Sequence, residues 1–220
     1  VNGKPVPVQR KLIPAGEHRA ETQVQNSRFI ASIAPAFDVA AARQFIRRIK
    51  REFSDATHNV PAFIIGHGQS VIEHCHDDGE PSGTAGRPVL AVLRGSGLGD
   101  VVAVVTRYFG GTKLGKGGLV RAYGQAAKTA LEGLPLAEKV ATQTLRVAVP
   151  YSLFERTRRL IHAHQGQVLD ENFAGHVTLT VRFTEAQAAA FQKAIVQLSR
   201  GSVTGEVIAT NPETVFPLPG

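Results

Sequence analysis

Residues 27–34, "SRFIASIA", alternate polar and apolar positions as a half-buried strand does. Asp38 then stands where a helix N-cap belongs, and Ala42, Phe45, Ile46, Ile49 and Phe53 recur on one helical face. Arg43, Arg47, Arg48, Lys50 and Arg51 point elsewhere, which predicts an amphipathic helix with a basic outer face. "VPAFIIG" (60–66) and "SVIEHCHD" (70–77) read as strands of a hairpin turned at "HGQ". "GRPVLAVLRG" (86–95) reads as a short helix with Thr84 as cap, Pro88 in its first turn and Gly95 at its end. "DVVAVVTRYF" (100–109) is continuously apolar and β-branched, as a buried strand is. Leu119, Val120, Tyr123, Ala127, Ala130 and Leu131 follow at helical spacing until Gly133 and Pro135 stop the pattern. The first twenty residues are rich in proline and charge without a clear period, and read as an arm or edge segment.

From about residue 140 the pattern changes. Strand-like "ATQTLRVAVP" precedes the helical run "YSLFERTRRLIHAHQG". The strands "QVLDENF" and "HVTLTVRF" come next, then a helix capped at Thr184 and a last strand, "SVTGEVIAT". The order β-α-β-β-α-β in so short a span is the ferredoxin-like arrangement. The expected class is therefore α+β with two domains, 1–138 and 139–220.

Charge sharpens this division. The net charge is +7, and residues 1–140 hold 18 Lys/Arg against 12 Asp/Glu, whereas residues 141–220 hold 7 against 6. A basic first domain favours phosphate-rich partners, although a basic solvated surface explains it equally. One cysteine, Cys75, excludes an internal disulfide and suggests a reducing compartment. No apolar run reaches the length of a membrane helix and the start has no signal-peptide core, so a cytoplasmic location is expected.

The chemistry concentrates in two stretches. "RYFGGTKLGKGGLVRAYG" (107–124) places Gly110, Gly111, Gly115, Gly117 and Gly118 around Thr112, Lys113 and Lys116, between a strand and a helix. It satisfies a nucleotide-binding G-x-x-x-x-G-K, but Gly117 occupies the place of the Mg²⁺-holding Ser or Thr. What survives is a general anion site. A helix start near Gly117 offers free N–H groups, and Arg107, Lys113, Lys116 and Arg121 add charge. A flexible turn that needs glycines is the plain alternative. "DDGEPSGTAGRP" (77–88) offers Asp77, Asp78 and Glu80, which could share an acid/base task or a divalent cation, or serve as ordinary turn chemistry. "HCH" (74–76) supplies too few ligands for zinc, and no metal or other cofactor is expected. There is no G-x-S-x-G, so a nucleophile-elbow hydrolase has no support.

"DATHNVPAFIIG", "DDGEPSGTAGRPVLAVL" and "DVVAVVTRYFGGTKLGKGGLVRAYGQA" together resemble the YigZ/IMPACT family. The resemblance implies an N-terminal α/β sandwich similar to the second domain of a small-subunit ribosomal protein and to domain four of elongation factor G. It implies a ferredoxin-like C-terminal domain similar to domain five of that factor. The matching positions are His58 and Asp78, Gly79, Glu80, Pro81, Ser82, Gly83, Thr84, Ala85, Gly86 and Arg87 in the first blocks, and Arg107 to Gly111, Lys113 to Gly115, Gly117, Gly118 and Arg121 in the last. Asn59, Val60 and Pro61 depart from the His, Cys and aromatic of many members. The resemblance implies contact with RNA or the ribosome and a place in translation control. The alternatives are an enzyme acting on a phosphate-bearing small molecule, with His58, Asp78 and Glu80 as acid/base groups, and a protein-interaction module.

Overall fold

The computed structural model describes residues 11–68 and 70–217. It divides into two compact units: one ends at Glu138 and takes in the chain from Phe216, and the other is Lys139–Val215.

The first unit is built on an antiparallel sheet of β2 (His18–Val24), β3 (Ser27–Pro35), β4 (His58–His67), β5 (Ser70–Cys75) and β6 (Val101–Tyr108). Its spatial order is β2-β3-β6-β4-β5. The apolar run of β6 follows from its central place, because both its faces are covered. Val101, Ala103 and Val105 meet α2 (Gly86–Ser96) and α3 (Gly115–Glu132) on one face. Val102 and Val104 meet α1 (Val39–Glu52) on the other. The unit is therefore three layers deep, helix–sheet–helices. The N-cap of α1 is as expected: the Asp38 carboxylate accepts from Ala41 N–H at 2.7 Å.

Of the two expected alternatives, an arm or an edge segment, the structure shows the edge segment from residue 11 onward; residues 1–10 lie outside the described residues. β1 (Lys11–Pro14) and β2 are strands. β2 has period two, with His18, Ala20, Thr22 and Val24 half-buried and Arg19, Glu21 and Gln23 exposed. It is an edge strand whose inward side chains are small or polar, so its apolar signal is weak. Val120 is also corrected: it lies on the exposed side of α3, whereas Leu119, Tyr123, Ala127 and Ala130 are buried.

The second unit holds β7 (Leu136–Val149) from Lys139 on, α4 (Tyr151–Ala163), β8 (Gln167–Phe173), β9 (Val177–Thr184), α5 (Glu185–Leu198) and β10 (Gly205–Pro217) up to Val215. Its sheet places β9 between β7 and β8, with β10 on the other side of β7. This is the ferredoxin-like βαββαβ topology. Val177, Leu179, Val181 and Phe183 alternate inward from β9 onto Ile161 of α4 and Phe191 and Ile195 of α5. Phe183 and Phe191 stack at 4.6 Å between ring centroids. Thr184 opens α5 with a full capping box to Gln187. β7 begins earlier and β10 ends later than their apolar patterns indicate. Among the described residues no helix is long and apolar enough to cross a membrane.

Because the second unit closes its own core, a fragment of residues 139–220 is expected to unfold cooperatively on heating, with native-like circular dichroism. A broad, non-cooperative transition would show that it depends on the first unit.

Candidate functional site

The loop after β5 folds around Asp77. Its carboxylate accepts backbone N–H groups from Gly83 (2.8 Å), Gly86 (2.8 Å) and Ala85 (3.1 Å), and so caps the start of α2 from a distance in sequence. Burial pushes the Asp77 carboxyl up, but these three donors outweigh it and hold it below its ordinary value. The expectation that Thr84 caps this helix is corrected: its hydroxyl donates to the Pro81 carbonyl at 2.6 Å and closes a turn. Gly86 is fixed by close approach, since a Cβ there would stand 2.9 Å from the His76 backbone.

This loop lowers Glu80 into the protein, where it is 8% exposed. Its Oε1 accepts from Arg107 Nη1 at 2.6 Å and from the Tyr123 hydroxyl at 2.8 Å. Arg107, 5% exposed, also donates to Ser27 Oγ at 3.3 Å and lies between the rings of Phe29 and Phe109. Its Nε is buried and has no hydrogen-bond partner among the described residues. Burial, then the Glu80 charge and hydrogen bond, push the Tyr123 phenol far above its ordinary range, so it remains a neutral donor. One carboxylate thus joins the motif loop to β6 and α3.

Asp78 makes the neighbouring link. Its carboxylate receives Lys50 Nζ at 2.5 Å and Asn59 N–H at 2.7 Å. Burial raises the Asp78 carboxyl, and Lys50 and the Asn59 N–H more than reverse this, leaving it lowered. His58 Nδ1–H donates to the Asp78 carbonyl at 2.7 Å, which turns Nε2 toward Glu80 Oε1, 3.8 Å away. His76 Nδ1 accepts from Asp78 N–H at 2.9 Å, and the His74 ring lies 5.3 Å from that of Phe63. Among the described residues no three His, Cys, Asp or Glu side chains are grouped to hold a metal ion.

The glycine loop begins where β6 leaves the sheet. Gly110 passes so near Asn26 that a Cβ would stand 1.9 Å from its carbonyl oxygen. Beyond it Gly111, Thr112, Lys113, Gly115, Lys116, Gly117 and Arg121 are exposed, with Gly118 half-buried. α3 starts at Gly115, two residues before the expected point, and Leu114 at its N-cap supplies no side-chain acceptor. Phe109 is 46% exposed at the foot of the loop.

The structure therefore gathers His58, Asp78, Gly79, Glu80 and Arg107 into one network, with Ser82 and Arg87 exposed on its outer side. Lys113, Lys116 and Arg121 are exposed on the glycine loop and the start of α3. Arg107 is corrected from a free anion ligand to the buried partner of Glu80. Glu80 is likewise engaged by two donors instead of facing an open cleft as an acid/base group. Sequence reasoning missed the polar part of Tyr123, which its helical spacing marks only as apolar core, and the roles of Ser27, of Lys50, read only as part of a basic helix face, and of Asn59, read only as a departure from the family pattern.

Residues 25–131 match the Impact N-terminal domain, and residues 147–202 match a domain of unknown function (DUF1949). IMPACT family member YigZ of Escherichia coli K12 is 36% identical over 193 residues, covering 87% of this chain and 95% of that protein. The chain belongs to the IMPACT family. Another member, YvyE of Bacillus subtilis, is 36% identical over 85% of each chain. A solved structure titled "Crystal structure of an hypothetical protein" superposes with a TM-score of 0.60 at 35% identity, covering 92% of this chain and 98% of that one. Human Protein IMPACT is 28% identical over 112 residues, 49% of this chain and 34% of its own length. The Impact N-terminal match contains every residue of the network and of the glycine loop.

The lowered Asp77 and Asp78 carboxyls stabilise the fold above the unfolded-state pKa of about 3.9, and that contribution is lost as pH falls through their folded values. Asp77→Ala is expected to cost about 1 kcal/mol at pH 7, the usual worth of a cap. The gap between its urea midpoint and that of the wild type should narrow steadily from pH 5 to pH 2.

Proposed function

We propose that the first unit binds single-stranded RNA, as a free strand or exposed on the ribosome, through the glycine loop and the start of α3. The observation that carries this reading is the exposed trio Lys113, Lys116 and Arg121 around an 18-residue helix whose N-cap residue, Leu114, has no capping side chain. Unpaired N–H groups and the positive helix end attract phosphate, and the glycines let a backbone approach closely. Lysines act as point charges and suit a backbone better than base edges. Phe109, half-exposed beside them, offers a ring on which a base can stack. The basic balance of residues 1–140 supports the same partner. A part in translation control belongs to this proposal, as the consequence of engaging ribosomal or messenger RNA.

The enzyme reading has less support, because Glu80 is held by Arg107 and Tyr123 and Asp78 by Lys50 and Asn59. A general base needs its lone pair free toward a substrate.

Each lysine that neutralises a phosphate on single-stranded RNA contributes about 0.7 to the slope of log affinity against log salt. Lys113→Ala with Lys116→Ala should therefore flatten that slope by roughly 1.4, similarly for different RNA sequences. Fluorescence anisotropy across a salt series measures it. An unchanged slope and affinity would reduce the loop to a turn.

A further inference from the structure

The outer side of α1 carries a second feature that the glycine loop does not use. A groove of about 350 Å³ lies between α1 and the β4–β5 hairpin. Arg43, Arg47 and Lys50 line one side of it. Pro61 and Phe63 of β4, both buried, form its apolar floor, and the exposed His74 of β5 supplies an aromatic wall. A second concavity, of about 620 Å³, adjoins it and shares Arg47 and Lys50, with Arg51 added.

The spacing is informative. Positions 43, 47 and 50–51 recur at one helical turn, so their side chains follow one stripe of α1. From Arg43 to Arg51 the stripe is about 12 Å long at 1.5 Å per residue. Lys50 is paired with Asp78, whereas Arg43, Arg47 and Arg51 have no carboxylate within 4.0 Å among the described residues. A core-packing helix needs an apolar inner face, which Ala42, Phe45 and Ile49 supply, but has no need of unpaired arginines in file beside an aromatic wall.

We infer that this groove is a second RNA-contacting surface: the arginine stripe follows the phosphates of a single strand while one base enters the groove against the exposed His74 ring, which the buried Phe63 ring backs at 5.3 Å. The inference rests on the RNA reading of the glycine loop and extends it to another face of the same unit. A polyanion fits better than a mononucleotide, because the cations run beyond the reach of one phosphate and two concavities adjoin. A single strand fits better than a duplex, because only an unstacked base can reach the ring wall. Arginine over lysine suits this surface, since its planar guanidinium stacks on bases as well as binding phosphate.

The test is anisotropy with a fluorescein-labelled oligouridylate across a salt series, with the full chain and three variants: Arg43→Ala/Arg47→Ala, His74→Ala and Lys113→Ala/Lys116→Ala. Circular dichroism and thermal unfolding confirm that each remains folded. The arginine pair is expected to lower the salt slope by about 1.4. His74→Ala is expected to weaken binding about fivefold or more at an unchanged slope, the signature of lost stacking without lost charge. If the lysine pair flattens the slope and the two groove variants match the wild type, the groove inference is wrong and the loop reading stands. If the wild type shows no salt-dependent affinity for the oligouridylate, both fall together.

Discussion

A buried carboxylate that two donors share sets the arrangement of the first unit. Glu80 comes from a loop, Arg107 from the end of β6, and Tyr123 from the third turn of α3. Burying either charge alone costs several kcal/mol, so the pair is tolerable only when all three elements are in register. This couples the two motif-rich stretches through the core rather than through a shared surface. With Arg107 drawn inward, the loop that follows it turns out past Asn26 and leaves Lys113, Lys116 and Arg121 on the surface.

The same arrangement separates two kinds of charge. Acidic groups of the motif loop are turned inward or toward partners: Asp77 to backbone N–H groups, Asp78 to Lys50 and Asn59, and Glu80 to Arg107 and Tyr123. Of the three, Asp78 lies against the α1 stripe and neutralises its Lys50, which leaves Arg43, Arg47 and Arg51 as the charges of that stripe. The placement thus serves stability, and the Lys/Arg surplus of residues 1–140 is the kind of balance that favours electrostatic capture of a polyanion.

Much of this fold was legible in the sequence because its strongest elements have strong periods. The β6 run had to be buried on both faces, the α1 pattern had a clean apolar stripe after Asp38, and the second unit spelled out its six elements in order. β2 was illegible because an edge strand buries only small or polar side chains on its inner face. The site was legible in its motifs and not in its roles. Asp77 caps a helix nine residues away, and Thr84, the obvious cap, closes a turn instead. Arg107 sits in a basic motif but its side chain belongs to the core. Tyr123 reads as an apolar residue at helical spacing, and only its hydroxyl's partner, 43 residues distant, gives it a function. Long-range polar pairing of this kind has no local pattern from which to read it.

The central claim is that Glu80 and Arg107 are a structural pair and not two independent site residues. A double-mutant cycle tests it most directly, with urea unfolding of the wild type, Glu80→Gln, Arg107→Met and the double variant. Each single change leaves a buried group without its charged partner and should cost about 3–5 kcal/mol. The double change removes both charges, so its cost should fall short of the sum by about 2 kcal/mol or more. Losses that add to within about 0.5 kcal/mol would mean the two side chains act independently, and would contradict the account.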